Sequence, residues 1–600
     1  MEMETRIKKR SEQDPASCWS VEDLFAGVEA WEAEFAACQG LPEELAAYRG
    51  RLGESAGTLL AYLELSEAVD RRVGALQSYT SLRRDEDTAN PVYQALAGRC
   101  FSFAVRLGSA AAFEGPELTA IPEETLEDFY AREPALEKYR RYLTQARLER
   151  EHVLSPEEEA LLSAAAELGS GPSDIFHSFT DADMKFPPAA DSRGQLHQLT
   201  NGSYISLMES GDRELRKNAF QNLYGVYGGS RSALAAMLNA EIRKCVFFAR
   251  ARRYDSTLAS AMHPVEVPEP VYHNLLAAVE GNLDKLHRYM ALRKRVMGLE
   301  ELHMYDIYAP MLPEAGQVIP FQKAREEVLE AVKVLGEDYR RVLAASFEQR
   351  WMDIYENEGK RSGAYSMGCE VHPFVLLNYK DNLHSAFTLA HEMGHAMHSY
   401  LSIHSQPPVY ARYVLFVAEV ASTCNEALLM QHLLKKTTDR RQRAVLISYF
   451  LEQFRTTLYR QTMFARFELD IHRIAEGGET LTAQRLCEHY HALNRMYYGP
   501  DVAVDREIEM EWSRIPHFYR RFYVYQYATG FSAAMALSRR ILEGGEEAAA
   551  DYLRFLSGGC SADPVSLLKT AGVDMSTPRP VNDALELFGC LIDELEELLG

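Results

Sequence analysis

Helical periodicity runs through almost the whole chain, and so little is left for strands that the fold has to be built mainly from packed α-helices. Residues 18–165 carry apolar side chains at helical intervals with few glycines, as at Trp31, Phe35 and Cys38 and again at Leu59, Leu60, Leu63 and Leu65. Pro122 before Glu123 and Glu124 reads as a proline at a helix start. Ser155-Pro156-Glu157-Glu158 adds a serine cap with carboxylates at the positive helix end.

Two stretches break the rhythm. Between Gly169 and Tyr204 turn signals crowd together, and Asp191-Ser192-Arg193-Gly194 predicts a short hairpin. We expect a domain boundary there, with a helical amino-terminal domain at 1–195 and a larger domain at 196–600. Helical patterns return over 206–348, interrupted at Pro264, Pro268 and Pro270. From Gly359 to Tyr379, glycines 363 and 368 flank the short apolar run Pro373-Phe374-Val375-Leu376-Leu377, which predicts a small β-sheet. Six hundred residues exceed what one core usually supports, so two or more subdomains or one lobed body are expected.

The formal charge of -23 argues against nucleic acid and anionic membrane surfaces as partners, since both demand a basic patch. Nine cysteines without paired spacing suggest neither a thiolate zinc site nor a disulfide framework. No apolar run approaches a membrane span and the amino terminus is charged, so a cytoplasmic location is expected.

Within one amphipathic helical segment stands His391-Glu392-Met393-Gly394-His395. Histidines four apart share a helix face, about 40° and about 6 Å apart, so both imidazoles can reach one zinc ion. The intervening Glu392 is placed to handle a proton of the attacking water. His384, His398 and Ser402 fall on the same face, while Leu389, Ala390, Met393 and Met397 cover much of the other. A suitable cap stands at Asp381 or Asn382. His398 is a candidate third ligand, but seven residues of helix separate it from His391 by about 10.5 Å, which strains convergence. The metzincin pattern would want Gly and His where this chain has His398 and Leu401, so it does not apply.

A carboxylate from a second helix is an easier third ligand. Beyond the Pro407-Pro408 break, Glu419 and Glu426 are seven apart on one face of such a helix. Apolar neighbours surround Glu419, where an unpaired carboxylate would be costly and a metal would offset that cost. One of the two glutamates can bind the ion while the other orients a ligand histidine.

These residues closely resemble the oligoendopeptidase F group of the thimet-oligopeptidase-like zinc metallopeptidases. The resemblance rests on His391 to Tyr400 and Phe416 to Glu426. It extends to His303-Met304-Tyr305-Asp306, Arg361 to Ser366, His372 to Tyr379, and Pro516 to Gly530. It implies a mainly helical, clamshell-like body with a deep central channel and a small β-sheet beside the zinc helix. It also implies one zinc per chain on His391, His395 and Glu419, with Glu426 behind them, and cleavage of internal bonds in short peptides.

By the same resemblance, Glu392 is the general base, and His517 with one or more of Tyr523, Tyr525 and Tyr527 faces the peptide, with Tyr525 the expected oxyanion donor. Gly363, Ala364 and Tyr365 would lie at the sheet edge where an extended peptide pairs. A zinc carboxypeptidase on a similar scaffold and a non-enzymatic peptide-binding scaffold are the alternatives. Oligomeric state does not follow from these residues.

Overall fold

The computed structural model describes residues 6–312 and 318–600, and helices dominate them. By its internal contacts the chain divides into two units, each assembled from three separate segments. The first comprises residues 1–151, 317–432 and 537–573; the second comprises 152–316, 433–536 and 574–600. This division does not follow chain order, as a cut near residue 195 would.

In the first unit the 31-residue helix Ala56–Glu86, capped by the Ser55 hydroxyl, is the central rod. Its Leu59, Leu63, Leu76 and Leu82 pack with Trp19, Trp31, Phe103 and Phe129 in one core, which also takes in Cys369, Phe374 and Leu376 from far along the chain. The sheet carrying Phe374 has three short strands. Phe374–Leu376 lies in the middle, parallel to Met352–Asp353 and antiparallel to Tyr365–Met367, with Tyr365 opposite Leu376 and Met367 opposite Phe374. Main-chain bonds from Ile354 N to Ser17 O (3.0 Å) and from Ser20 N to Arg350 O (2.8 Å) tie the amino-terminal segment to this region.

The second unit is a helical body whose core includes Tyr272, Tyr289, Phe454 and Phe588. Its predicted hairpin is present: Ala189–Ala190 pairs antiparallel with Leu196–His197, and Asp191 closes the turn by accepting from Arg193 N and Gln195 N. The prolines at 264, 268 and 270 lie between and at the start of the helices Thr257–Met262 and Glu269–Glu280. Pro122 stands one residue ahead of its helix, Glu123–Arg132, with extended ψ. Among the described residues no helix is long and apolar enough to cross a membrane.

Candidate active site

Two helices bring the candidate metal-binding residues together. The helix Leu383–Ser405 starts at Asn382, whose side-chain oxygen accepts from Ser385 N at 2.8 Å. One turn separates His391 from His395, and their ring centroids are 4.8 Å apart. After Pro407 and Pro408 the chain reverses into the helix Leu415–Lys436, which carries Glu419 and Glu426.

The two helices touch through Gly394, where a Cβ would stand 2.5 Å from Ser422 Cα and 2.6 Å from Ala421 O. Only a residue without a side chain permits that approach. Asn425 locks the same contact, donating to Ala390 O (3.3 Å) and accepting from the Tyr339 hydroxyl (3.2 Å).

His391 Nε2 lies 3.4 Å and His395 Nε2 3.7 Å from Glu419 Oε2. Donors about 2.1 Å from a tetrahedral zinc ion stand roughly 3.4 Å from one another, so this trio has the spacing such an ion requires. Among the described residues it is the only group of three His, Cys, Asp or Glu side chains with donor atoms this close. Two imidazoles and a carboxylate suit zinc and leave its fourth position open. Behind them Glu426 Oε1 sits 2.6 Å from His391 Nδ1, which leaves Nε2 to face Glu419. Burial works against a charge on His391, but Glu419 and Glu426 outweigh it and hold the imidazolium well above its usual range.

Glu392 is 6% exposed, and its Oε2 has no hydrogen-bond partner among the described residues. Burial pushes its carboxyl up to about 7; the His391 charge opposes this, and Glu419 and Glu426 add to it. A carboxyl poised there can take and return a proton near neutral pH. His398 lies elsewhere on the helix: it is buried and stacked on Tyr413 at 3.6 Å, and burial pulls it down to about 3. His384 and His404 are exposed.

Tyr413 was not anticipated from sequence. Its hydroxyl lies 2.9 Å from Ser399 Oγ, and the charges of Glu419 and Glu392 act on it. Its place between Pro408 and Glu419 was the available signal.

The strand Tyr365–Met367 is the outer strand of its sheet, paired on one side only. The sheet end meets the metal helix at Gly368, where a Cβ would lie 2.8 Å from Ser399 Cβ. Gly363 has φ +85° and its carbonyl accepts from Asn378 Nδ2 (2.8 Å); after Ala364, Tyr365 donates its hydroxyl to Asp85 (2.9 Å).

The aromatic segment lies in the second unit. His517 is half-buried, its ring 5.5 Å from that of Tyr523, and the Tyr527 hydroxyl reaches both His517 Nε2 (3.5 Å) and the Tyr523 hydroxyl (3.4 Å). Burial and then the Arg520 and Arg460 charges lower the His517 pKa. Tyr525 faces another way: it is 1% exposed and packs 5.0 Å from the Tyr272 ring.

Residues 206–587 match the model of Peptidase family M3, and residues 117–186 match that of Oligopeptidase F. The chain belongs to peptidase family M3. It is a metallo-endopeptidase of the oligopeptidase kind, and relatives match it along its length. Oligopeptidase PepF of Bacillus subtilis is 43% identical over 99% of this chain and 89% of its own. The crystal structure of oligoendopeptidase-F from Enterococcus faecium is 37% identical and superposes with a TM-score of 0.75 over 95% of this chain and 99% of its own. A solved chain from Chlamydophila abortus, 35% identical, reaches 0.92 over 99% and 100%. The two family models leave residues 187–205 between them.

Proposed function

We propose that this M3 peptidase is a cytoplasmic, zinc-dependent endopeptidase that hydrolyses internal bonds of short peptides, with one zinc held by His391, His395 and Glu419. The observation that carries this reading is the convergence of those three donors beside a buried carboxyl, Glu392, whose second oxygen has no partner among the described residues. When bound, zinc supplies a Lewis acid that polarises the scissile carbonyl and acidifies water.

Glu392 takes the proton of the attacking water and passes it to the leaving amine. Glu426 orients His391 through its Nδ1. The outer strand Tyr365–Met367, with Gly363 and Ala364 before it, offers main-chain groups to an extended peptide, which binds with little dependence on sequence. We read His517, Tyr523 and Tyr527 as contacting the peptide, with one tyrosine hydroxyl donating to the oxyanion. We assign that donation to Tyr527 rather than Tyr525, because Tyr525 is buried at 1% exposure with its ring packed on Tyr272.

Mass spectrometry of terminally blocked peptides after incubation with wild type, Glu392→Gln and Glu419→Ala tests the reading. Internal cleavage is expected from wild type. Glu392→Gln should retain zinc and lose activity by about 10²-fold or more. Glu419→Ala should lose zinc on dialysis. Resistance of every blocked peptide to wild type would favour a carboxypeptidase and overturn the endopeptidase assignment.

A further inference from the structure

Between His517 and Tyr527 the backbone passes through an unusual conformation. Phe522 has φ +48°, in the left-handed region that a bulky side chain rarely enters. Four contacts within the second unit hold it there. Phe522 N donates to Glu468 Oε1 at 2.6 Å, its ring packs against His472 (4.6 Å) and Tyr272 (5.6 Å), and the neighbouring Arg521 donates to Ser260 Oγ at 3.2 Å.

Glu468 is an unexpected residue to find in this place. Its side chain is fully buried, Phe522 N is the one donor it accepts from, and its Oε2 has no partner among the described residues. Burial pushes its carboxyl up to about 8. A half-satisfied buried carboxyl is costly, and a leucine would fill the same space without that cost. What leucine cannot do is accept the Phe522 amide. The left-handed residue immediately precedes Tyr523, so the dihedral angles fixed there set the direction in which Tyr523 and Tyr527 leave the loop relative to His517.

We propose that Glu468 is a positioning residue: by accepting the Phe522 amide it holds the backbone turn that aligns His517, Tyr523 and Tyr527 for the peptide. The proposal rests on the peptide-facing role assigned to those three residues. Glu468 does not itself touch substrate.

Strain of this kind persists where surrounding contacts over-determine it, and it concentrates at functional sites. A small misplacement of groups that meet a transition state costs rate more than it costs stability.

The test compares kcat and KM per bound zinc for Glu468→Leu, Glu468→Gln and Glu468→Leu/Phe522→Gly, alongside His517→Ala and Tyr527→Phe. Glu468→Leu removes the acceptor, and kcat is expected to fall about tenfold with zinc content unchanged. Glu468→Gln retains a carbonyl oxygen for the amide and should stay near wild type. The double variant should recover part of the loss, because glycine adopts positive φ without a clamp. A purely structural role would instead make the double variant worse, since it also removes a buried aromatic ring. Wild-type kcat in Glu468→Leu, or equal losses in the Leu and Gln variants, would overturn the proposal while leaving the peptide-facing role intact. Wild-type activity in both His517→Ala and Tyr527→Phe would overturn that role, and the proposal with it.

Discussion

A buried carboxyl whose pKa lies far from its usual value leaves a signature in stability as well as in activity. Glu468 titrates from 4.5 in the open to about 8 in the folded chain because burial disfavours its charge. The folded state therefore binds the proton more tightly than the unfolded chain. The stability this gives is fully present below pH 4.5 and is lost as pH rises through 8. Glu468→Gln cannot titrate, so its melting temperature should gain on that of wild type steadily between about pH 5 and pH 8. A constant difference across that range would show that Glu468 stays charged in the folded chain. The residues proposed as catalytic stand out in the sequence because such chemistry dictates residue types and spacing. Glu468 does not, since one glutamate in an apolar helical run looks the same whether it faces water or an amide 54 positions away.

At the scale of elements, the site depends on two helices lying in backbone contact at Gly394. Gly394→Ala would drive a methyl group into the Ser422 backbone, which no rotamer change can relieve. Overpacking of this kind costs about 1–3 kcal/mol. It should also part Glu419 from the histidines, so zinc retained after dialysis and the urea midpoint are both expected to fall. The helical wheel puts His391 and His395 on one face, and the double proline marks the reversal to a second helix. The wheel cannot tell which helix-face residues meet a neighbour, because periodicity describes one element and contact takes two. The tyrosines illustrate the same limit. Alternation at 523, 525 and 527 suggests a shared face in a strand. Here, however, Tyr523 precedes the helix Tyr525–Leu556, and the hydroxyl of Tyr527 in the first turn of that helix reaches Tyr523 while Tyr525 is buried.

For the molecule as a whole, folding depends on residues that are remote in sequence. The core around Trp19 and Trp31 includes Phe374 and Leu376, and Asn357 Nδ2 donates to Glu86 O at 3.1 Å. A fragment ending at residue 195 lacks these partners. Expressed alone, it should show helical far-ultraviolet dichroism without a cooperative thermal transition, whereas a sharp transition would mark 1–195 as self-sufficient. The chain's division into three-part units was the least legible feature of the sequence. Composition and turns mark where the chain changes texture, but not which distant segments share a core.

The interleaving of segments also dictates a timetable for biosynthesis. A ribosome adding about 5–20 residues per second needs roughly half a minute to two minutes for such a chain. The first unit still lacks Leu537–Val573 until near the end of that time. Meanwhile Trp19, Trp31 and their neighbours await partners that have not yet been made. Until Leu537–Val573 has emerged, the apolar core of the first unit stays incomplete, the condition in which exposed apolar surface invites aggregation.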